Sequence, residues 1–168
     1  DVAAIEVSSH ALSLHRVDAI RFRVAAFTNL MQDHLDYHGD MARYFAVKAS
    51  LFTTDRADHA VIGVDDEAGR KIAASTAVPA TTVAVDGNAD ITASSLEESF
   101  DGTSFSMDTP TEKLPVYLPI PGRFNVHNAL IAGAIALELG IDGDAVIRGL
   151  ASEATIPGRF ERVSSDDG

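Results

Sequence analysis

The chain contains no cysteine, which excludes disulfides, thiolate nucleophiles and Cys-type zinc sites together. Such a composition fits a reducing compartment. No apolar run approaches the roughly 18 residues of a membrane-spanning helix. The longest, Ala129–Leu139, is broken by Gly133 and Glu138. Basic residues are scarce, with 13 Lys and Arg against 25 Asp and Glu and a formal net charge of −12. That balance argues against non-specific binding to nucleic acid or to an anionic membrane. An acidic ligand would need a local cluster of Arg, Lys or a bound cation. No G-x-x-x-x-G-K-[ST] string occurs and no two glycines stand as G-x-G, so no phosphate-cradling loop is recognisable. Internal repeats and low-complexity linkers are also absent. Neither an initiator Met nor a signal-peptide pattern opens the chain. An apolar run beginning at residue 2 and a polar end, Ser164–Gly168, make a piece of a longer protein the expectation.

Hydrophobic residues make up 46% of the 168, ample for a packed core and against disorder. The length suits one domain. Short apolar runs at Val2–Val7, Phe22–Leu30, Ala60–Val64 and Thr81–Val85 predict strands. Between them, Ser8-Ser9 cap a short helix reaching about His15, and Asp40 caps a helix from Met41 to about Phe52. A third helix is predicted over Asp66–Ser75. Ile91–Phe100, Thr103–Met107 and Leu114–Leu118 read as antiparallel strands, with Asp101-Gly102 as a two-residue hairpin signal. A long helix, Asn125–Leu139, stops at Gly140, a second follows over Asp144–Ala151, and Arg159–Val163 is predicted extended. The pattern implies an α/β fold: a mostly parallel sheet flanked by helices, with a small antiparallel β insert.

Ligands of open α/β sheets gather outside the carboxyl ends of the strands. Two such ends, Glu6-Val7-Ser8-Ser9 and Thr28-Asn29-Leu30, are polar and expected to face one crevice. Glu6 follows four apolar residues, which predicts a carboxylate at a buried strand end, where it would be paired or metal-bound. In Asp33-His34-Leu35-Asp36-Tyr37-His38 each His alone fits a solvated acidic loop, while the cluster beside a strand end points to a metal site. Lys48 shares a helix face with Tyr44 and Phe52. Exposed, it would lay its stem on the aromatics. Buried, its lowered pKa would free a neutral amine, able to take up carbon dioxide as a carbamate suited to a hard cation such as Mg²⁺. Asn125 suits a helix N-cap, and Asn128 offers an amide to a ligand at that helix's first turns. Arg159, fixed by Pro157-Gly158, suits a phosphate partner.

Taken together, these residues resemble the central, ATP-binding domain of the Mur ligase family. The resemblance rests on Glu6-Val7-Ser8-Ser9-His10-Ala11-Leu12, Arg16-Val17-Asp18, Phe27-Thr28-Asn29-Leu30 and Asp33-His34-Leu35-Asp36-Tyr37-His38-Gly39. It continues through Lys48-Ala49, Leu51-Phe52, Gly122-Arg123-Phe124-Asn125, Asn128-Ala129 and Pro157-Gly158-Arg159-Phe160-Glu161. The first and fourth strings are specific to the branch that adds the third amino acid. The N-x-x-N-A string is shared with folylpolyglutamate synthases.

The resemblance implies ATP-driven amide bond formation. A carboxylate of UDP-N-acetylmuramoyl-L-alanyl-D-glutamate becomes an acyl phosphate, which the amine of a diamino acid or lysine displaces. It implies Glu6, His34 and a carbamylated Lys48 as Mg²⁺ ligands, with Lys48 the catalytic residue. Asn128 and Arg159 would then meet the ATP nucleotide, and Ser8 and Arg16 the UDP-muramoyl peptide. Leu14 stands where the family often has a substrate-binding Gln. The resemblance makes residues 1–163 a central domain lacking the phosphate loop that precedes Glu6 in the family, and 164–168 a tail toward a further domain. It also implies a monomeric, cytoplasmic enzyme that is inactive as this piece alone. A folylpolyglutamate synthase-like ligase is expected to lack Ser8–Leu12. A metal-dependent hydrolase built on His34, Asp36 and His38 leaves Asn128 and Arg159 unexplained.

Overall fold

A computed structural model describes residues 2–30 and 40–152. Helix α1 (Ser9–Ser13) leads to β1 (Phe22–Phe27), α2 (Met41–Ala49), β2 (Ala57–Gly63), α3 (Glu67–Ser75) and β3 (Ala80–Ala84). Then come β4 (Ile91–Glu98), β5 (Thr103–Asp108), β6 (Lys113–Leu118), α4 (Arg123–Glu138) and α5 (Gly143–Ala151). One sheet holds all six strands in sequence order. β1 to β4 are parallel, and β5 and β6 add antiparallel strands to β4. The expected α/β architecture is present, and the antiparallel strands β5 and β6 extend the same sheet beyond β4.

The helices begin where short polar side chains satisfy otherwise unpaired backbone amides. Ser8 accepts from the Ala11 amide, Asp40 from Arg43, Asp66 from Gly69 and Asp142 from Ala145. α4 begins differently. Gly122, at φ 107°, turns the chain into the helix without a side-chain cap. Asn125, expected as the cap, lies inside the helix, 7% exposed, and its Nδ2 donates to the Pro121 carbonyl. The positive φ that glycine tolerates moves the helix start upstream.

Side chains on β2 alternate between two cores. Ala60 and Ile62 join Ala25, Phe27, Leu51, Phe52 and Ile72 in the core beneath α1, α2 and α3. Val61 joins Val83, Val126, Leu130 and Ala134 in the core beneath α4. α4 packs across β1, β2, β3 and β4, while α5 covers β6.

Val2–Val7 is not a strand, and residues 2–6 are exposed. An apolar run becomes a strand only by pairing, and among the described residues the sheet ends at β1. The β4–β5 connection is a four-residue loop, Ser99–Gly102, in which Ser99 bonds Gly102 through both backbone and hydroxyl.

Candidate functional site

At the carboxyl end of β1 lies a cleft of about 380 Å³. Ala26 and Phe27 form its floor, and Thr28 and Asn29 its rim. Tyr44, Lys48, Leu51 and Phe52 supply one wall, from α2 and the turn after it. Ile5, Glu6, Val7, Ser8 and Ser9 supply the other. Floor and wall meet where the rings of Phe27 and Phe52 pack edge to face at 6.2 Å and 77°.

Lys48 is half-buried here, its Nζ 5.9 Å from the centre of the Tyr44 ring. Burial holds its ammonium pKa below the ordinary lysine value, and the Glu6 carboxylate opposes that shift in part. Glu6 and Lys48 thus share the cleft, 42 positions apart in sequence. Glu6 is exposed, contrary to the buried strand end expected of it, because residues 2–7 are not in the sheet. Ser8 lines the cleft while capping α1 through its hydroxyl. Arg16 is exposed after α1 and does not line the cleft; Asn128 is exposed on α4. His34, Asp36, His38 and Arg159 lie outside the described residues. Among the described residues no three His, Asp or Glu side chains gather around one point.

Beside the cleft, the turn joining β2 to α3 forms a second polar cluster, which the sequence reading did not single out. Asp66 accepts from the Leu30 and Gly69 amides at 3.2 and 2.6 Å. Asp65 accepts from the Val85 and Asp86 amides and from His127 Nδ1 at 2.8 Å. His127 Nε2 lies 2.8 Å from the Thr28 carbonyl oxygen. Burial pushes the Asp65 carboxyl upward, but the two amides and His127 together outweigh it and hold the group below the usual carboxylate range. The signal was present: Asp65-Asp66 follow the apolar run Ala60–Val64, the pattern that drew attention to Glu6 and Asn29.

A mostly parallel sheet with a polar, lysine-bearing cleft outside the carboxyl end of a strand is the frame of a ligand-binding α/β domain. Residues 1–136 match the Mur ligase middle domain, and the chain belongs to that family. It is 42% identical over 171 residues to the UDP-N-acetylmuramoyl-L-alanyl-D-glutamate–2,6-diaminopimelate ligase of Geobacter metallireducens, covering 98% of this chain and 34% of that protein. The ligase of the same name from Corynebacterium efficiens is 48% identical over 165 residues, covering 95% and 31%. A solved structure of a diaminopimelate ligase superposes with a TM-score of 0.85 at 30% identity, over 95% of this chain and 34% of that one. The chain therefore spans about a third of the length of the curated relatives it matches.

Proposed function

We propose that this chain is the middle-domain portion of an ATP-dependent ligase that joins a diamino acid or lysine to UDP-N-acetylmuramoyl-L-alanyl-D-glutamate in peptidoglycan synthesis. The observation that carries this reading is the 48% identity, over 95% of the chain, to a ligase with a diaminopimelate-adding name. The cleft supplies a physical reason. Transfer of the terminal phosphoryl group of ATP to a carboxylate brings two anions together, and a chain of net charge −12 needs local cations to hold them.

Glu6 offers oxygen donors, and the depressed pKa of Lys48 favours the neutral amine that attacks carbon dioxide. The ammonium first loses one proton; the neutral amine then forms an N–C bond to carbon dioxide and releases a second, so that a cation becomes a carbamate anion. Glu6, the Lys48 carbamate and His34 would hold Mg²⁺, which supplies charge neutralisation between the phosphates and the substrate carboxylate. Ser8 and Arg16 hold the UDP-muramoyl peptide, and Asn128 and Arg159 the nucleotide. The enzyme works as a monomer in the cytoplasm. No described helix is long and apolar enough to cross a membrane.

The test is amide product formation by the full-length ligase carrying Lys48→Ala or Lys48→Arg. Both variants are expected to lose turnover, and short carboxylic acids to restore part of it in Lys48→Ala alone. Near-normal turnover in Lys48→Arg, which keeps a positive charge and cannot form the carbamate, would overturn the assignment.

A further inference from the structure

The His127 ring stands between two acceptors. Its Nδ1 is 2.8 Å from a carboxylate oxygen of Asp65, and its Nε2 is 2.8 Å from the carbonyl oxygen of Thr28. A neutral imidazole has one N–H and so donates to only one of these; the imidazolium donates to both. The ring is enclosed, with its side chain 14% exposed. A Cβ on Gly63 would lie 2.6 Å from its Cε1, 2.8 Å from its Nε2 and 2.9 Å from the Thr28 oxygen. Glycine at the end of β2 therefore makes the space that the ring and the carbonyl share.

We infer that His127, as an imidazolium, is a positioning residue that locks the Thr28–Asn29 rim of the cleft to the Asp65 turn and to α4. The inference rests on the ligase reading for its functional consequence, but the lock itself does not. Thr28 and Asn29 border the space that Lys48 and Glu6 share. Their backbone continues from the last residue of β1 and has left the sheet ladder. His127 and the Asp66 bond to the Leu30 amide hold this exit from two sides. His127 also directly precedes Asn128, so one ring ties the rim to the helix proposed to meet the nucleotide. The charged partner of the ring is Asp65, which Arg123, one turn earlier on α4, also reaches electrostatically. Arg123 pairs with Asp86, and Asp66 with the Leu30 and Gly69 amides. Asp65 is therefore the carboxylate that faces the ring.

The experiment is ¹⁵N NMR of this chain from about pH 5 to about pH 9, the range in which imidazoles titrate. Two protonated ring nitrogens are expected at His127, because both of its partners are acceptors. The Asn29 and Leu30 amide resonances are expected to change whenever the number of protons on the ring changes. Both effects should vanish in His127→Gln, which offers donors at one end only, and in Gly63→Ala, which fills the ring's space. The wild-type titration decides the matter even where a variant fails to fold. A ring with one protonated nitrogen throughout, or Asn29 and Leu30 amides that do not move with it, would overturn the lock. In the full-length ligase, His127→Gln is expected to lower kcat about tenfold at unchanged KM for ATP, since small misplacements at a reacting centre act on turnover. An intact lock with unchanged kcat in His127→Gln would refute the positioning role. Absence of ligase activity in the wild type would refute the proposed function and leave the lock standing on its NMR signature.

Discussion

The two halves of the sheet are built to different rules. β1, β2 and β3 have helices on both faces, so β2 is buried along Ala60, Val61, Ile62 and Gly63 without a break. β6 has α5 on one face, so Leu114, Val116 and Leu118 point inward while Lys113, Pro115 and Tyr117 face solvent. A parallel strand needs a continuous apolar run, because helical crossovers cover both of its faces. An antiparallel strand in a two-layer arrangement needs only every second residue. The cleft belongs to the first kind of half: parallel strands end together, and their carboxyl termini leave a shared edge that hairpins do not.

Substitutions at matched positions should separate the halves. Ile62 is fully buried, and Ile62→Ala is expected to cost about 2–5 kcal/mol in urea unfolding. Tyr117→Ala, on the open face of β6, should cost about 1 kcal/mol or less, although its hydroxyl donates to the Asp101 carbonyl. Equal losses at the two positions would remove the contrast.

Two helical glycines sharpen it further. A Cβ on Gly69 would lie 1.7 Å from the Gly63 carbonyl oxygen, so α3 sits directly against the end of β2. Gly69→Ala is expected to destabilise by about 1–3 kcal/mol, since backbone must move. Gly149 on α5 has open space around it, and Gly149→Ala should stabilise by about 0.4–1 kcal/mol. Thermal melts of the two variants should therefore move in opposite directions.

The smallest effects concern charge. The Asp65 carboxyl has a folded-state pKa below its ordinary value. Its stabilising contribution is complete above the ordinary carboxylate range and is lost as pH falls through the lowered value. Acid melts of the wild type should show a loss of stability below about pH 4 that is reduced in Asp65→Asn. Lys48 has the opposite sign. Its lowered pKa means that the folded state binds fewer protons than the unfolded chain, so its charge opposes folding at neutral pH. Lys48→Met is expected to leave the melting temperature unchanged or slightly higher at pH 7. A clear drop would show that the ammonium stabilises the cleft.

The parts of the fold governed by local chemistry were legible in the sequence. Asp40 caps α2 as its position before an amphipathic run predicts, and the apolar runs Phe22–Leu30, Ala60–Val64 and Thr81–Val85 overlap β1, β2 and β3, with ends that differ by up to three residues. Features decided by partners outside the segment itself were not. Val2–Val7 has strand composition, but pairing decides a strand, and composition does not report it. Asn125 has cap chemistry, yet Gly122 and Pro121 set where the helix starts. In the cleft, Glu6 and Lys48 were identified separately, one from its place after an apolar run and the other from helix spacing, and the fold brings them together. His127 escaped notice because its partners, Thr28 and Asp65, lie 99 and 62 positions away.

The two halves of the sheet meet along a short seam. β3 and β4 are paired only at Val83 with Ile91 and Ala84 with Thr92. So brief a ladder does little to keep the two halves from swivelling, and α4, lying across β1 to β4, acts as the splint. Its middle, Val126 to Ala134, is packed into the core that both halves share. Backbone amides there should exchange with deuterium only when the whole molecule opens, while those of β6 escape earlier through local fraying. The cooperativity of the domain therefore resides in one helix more than in the sheet it crosses.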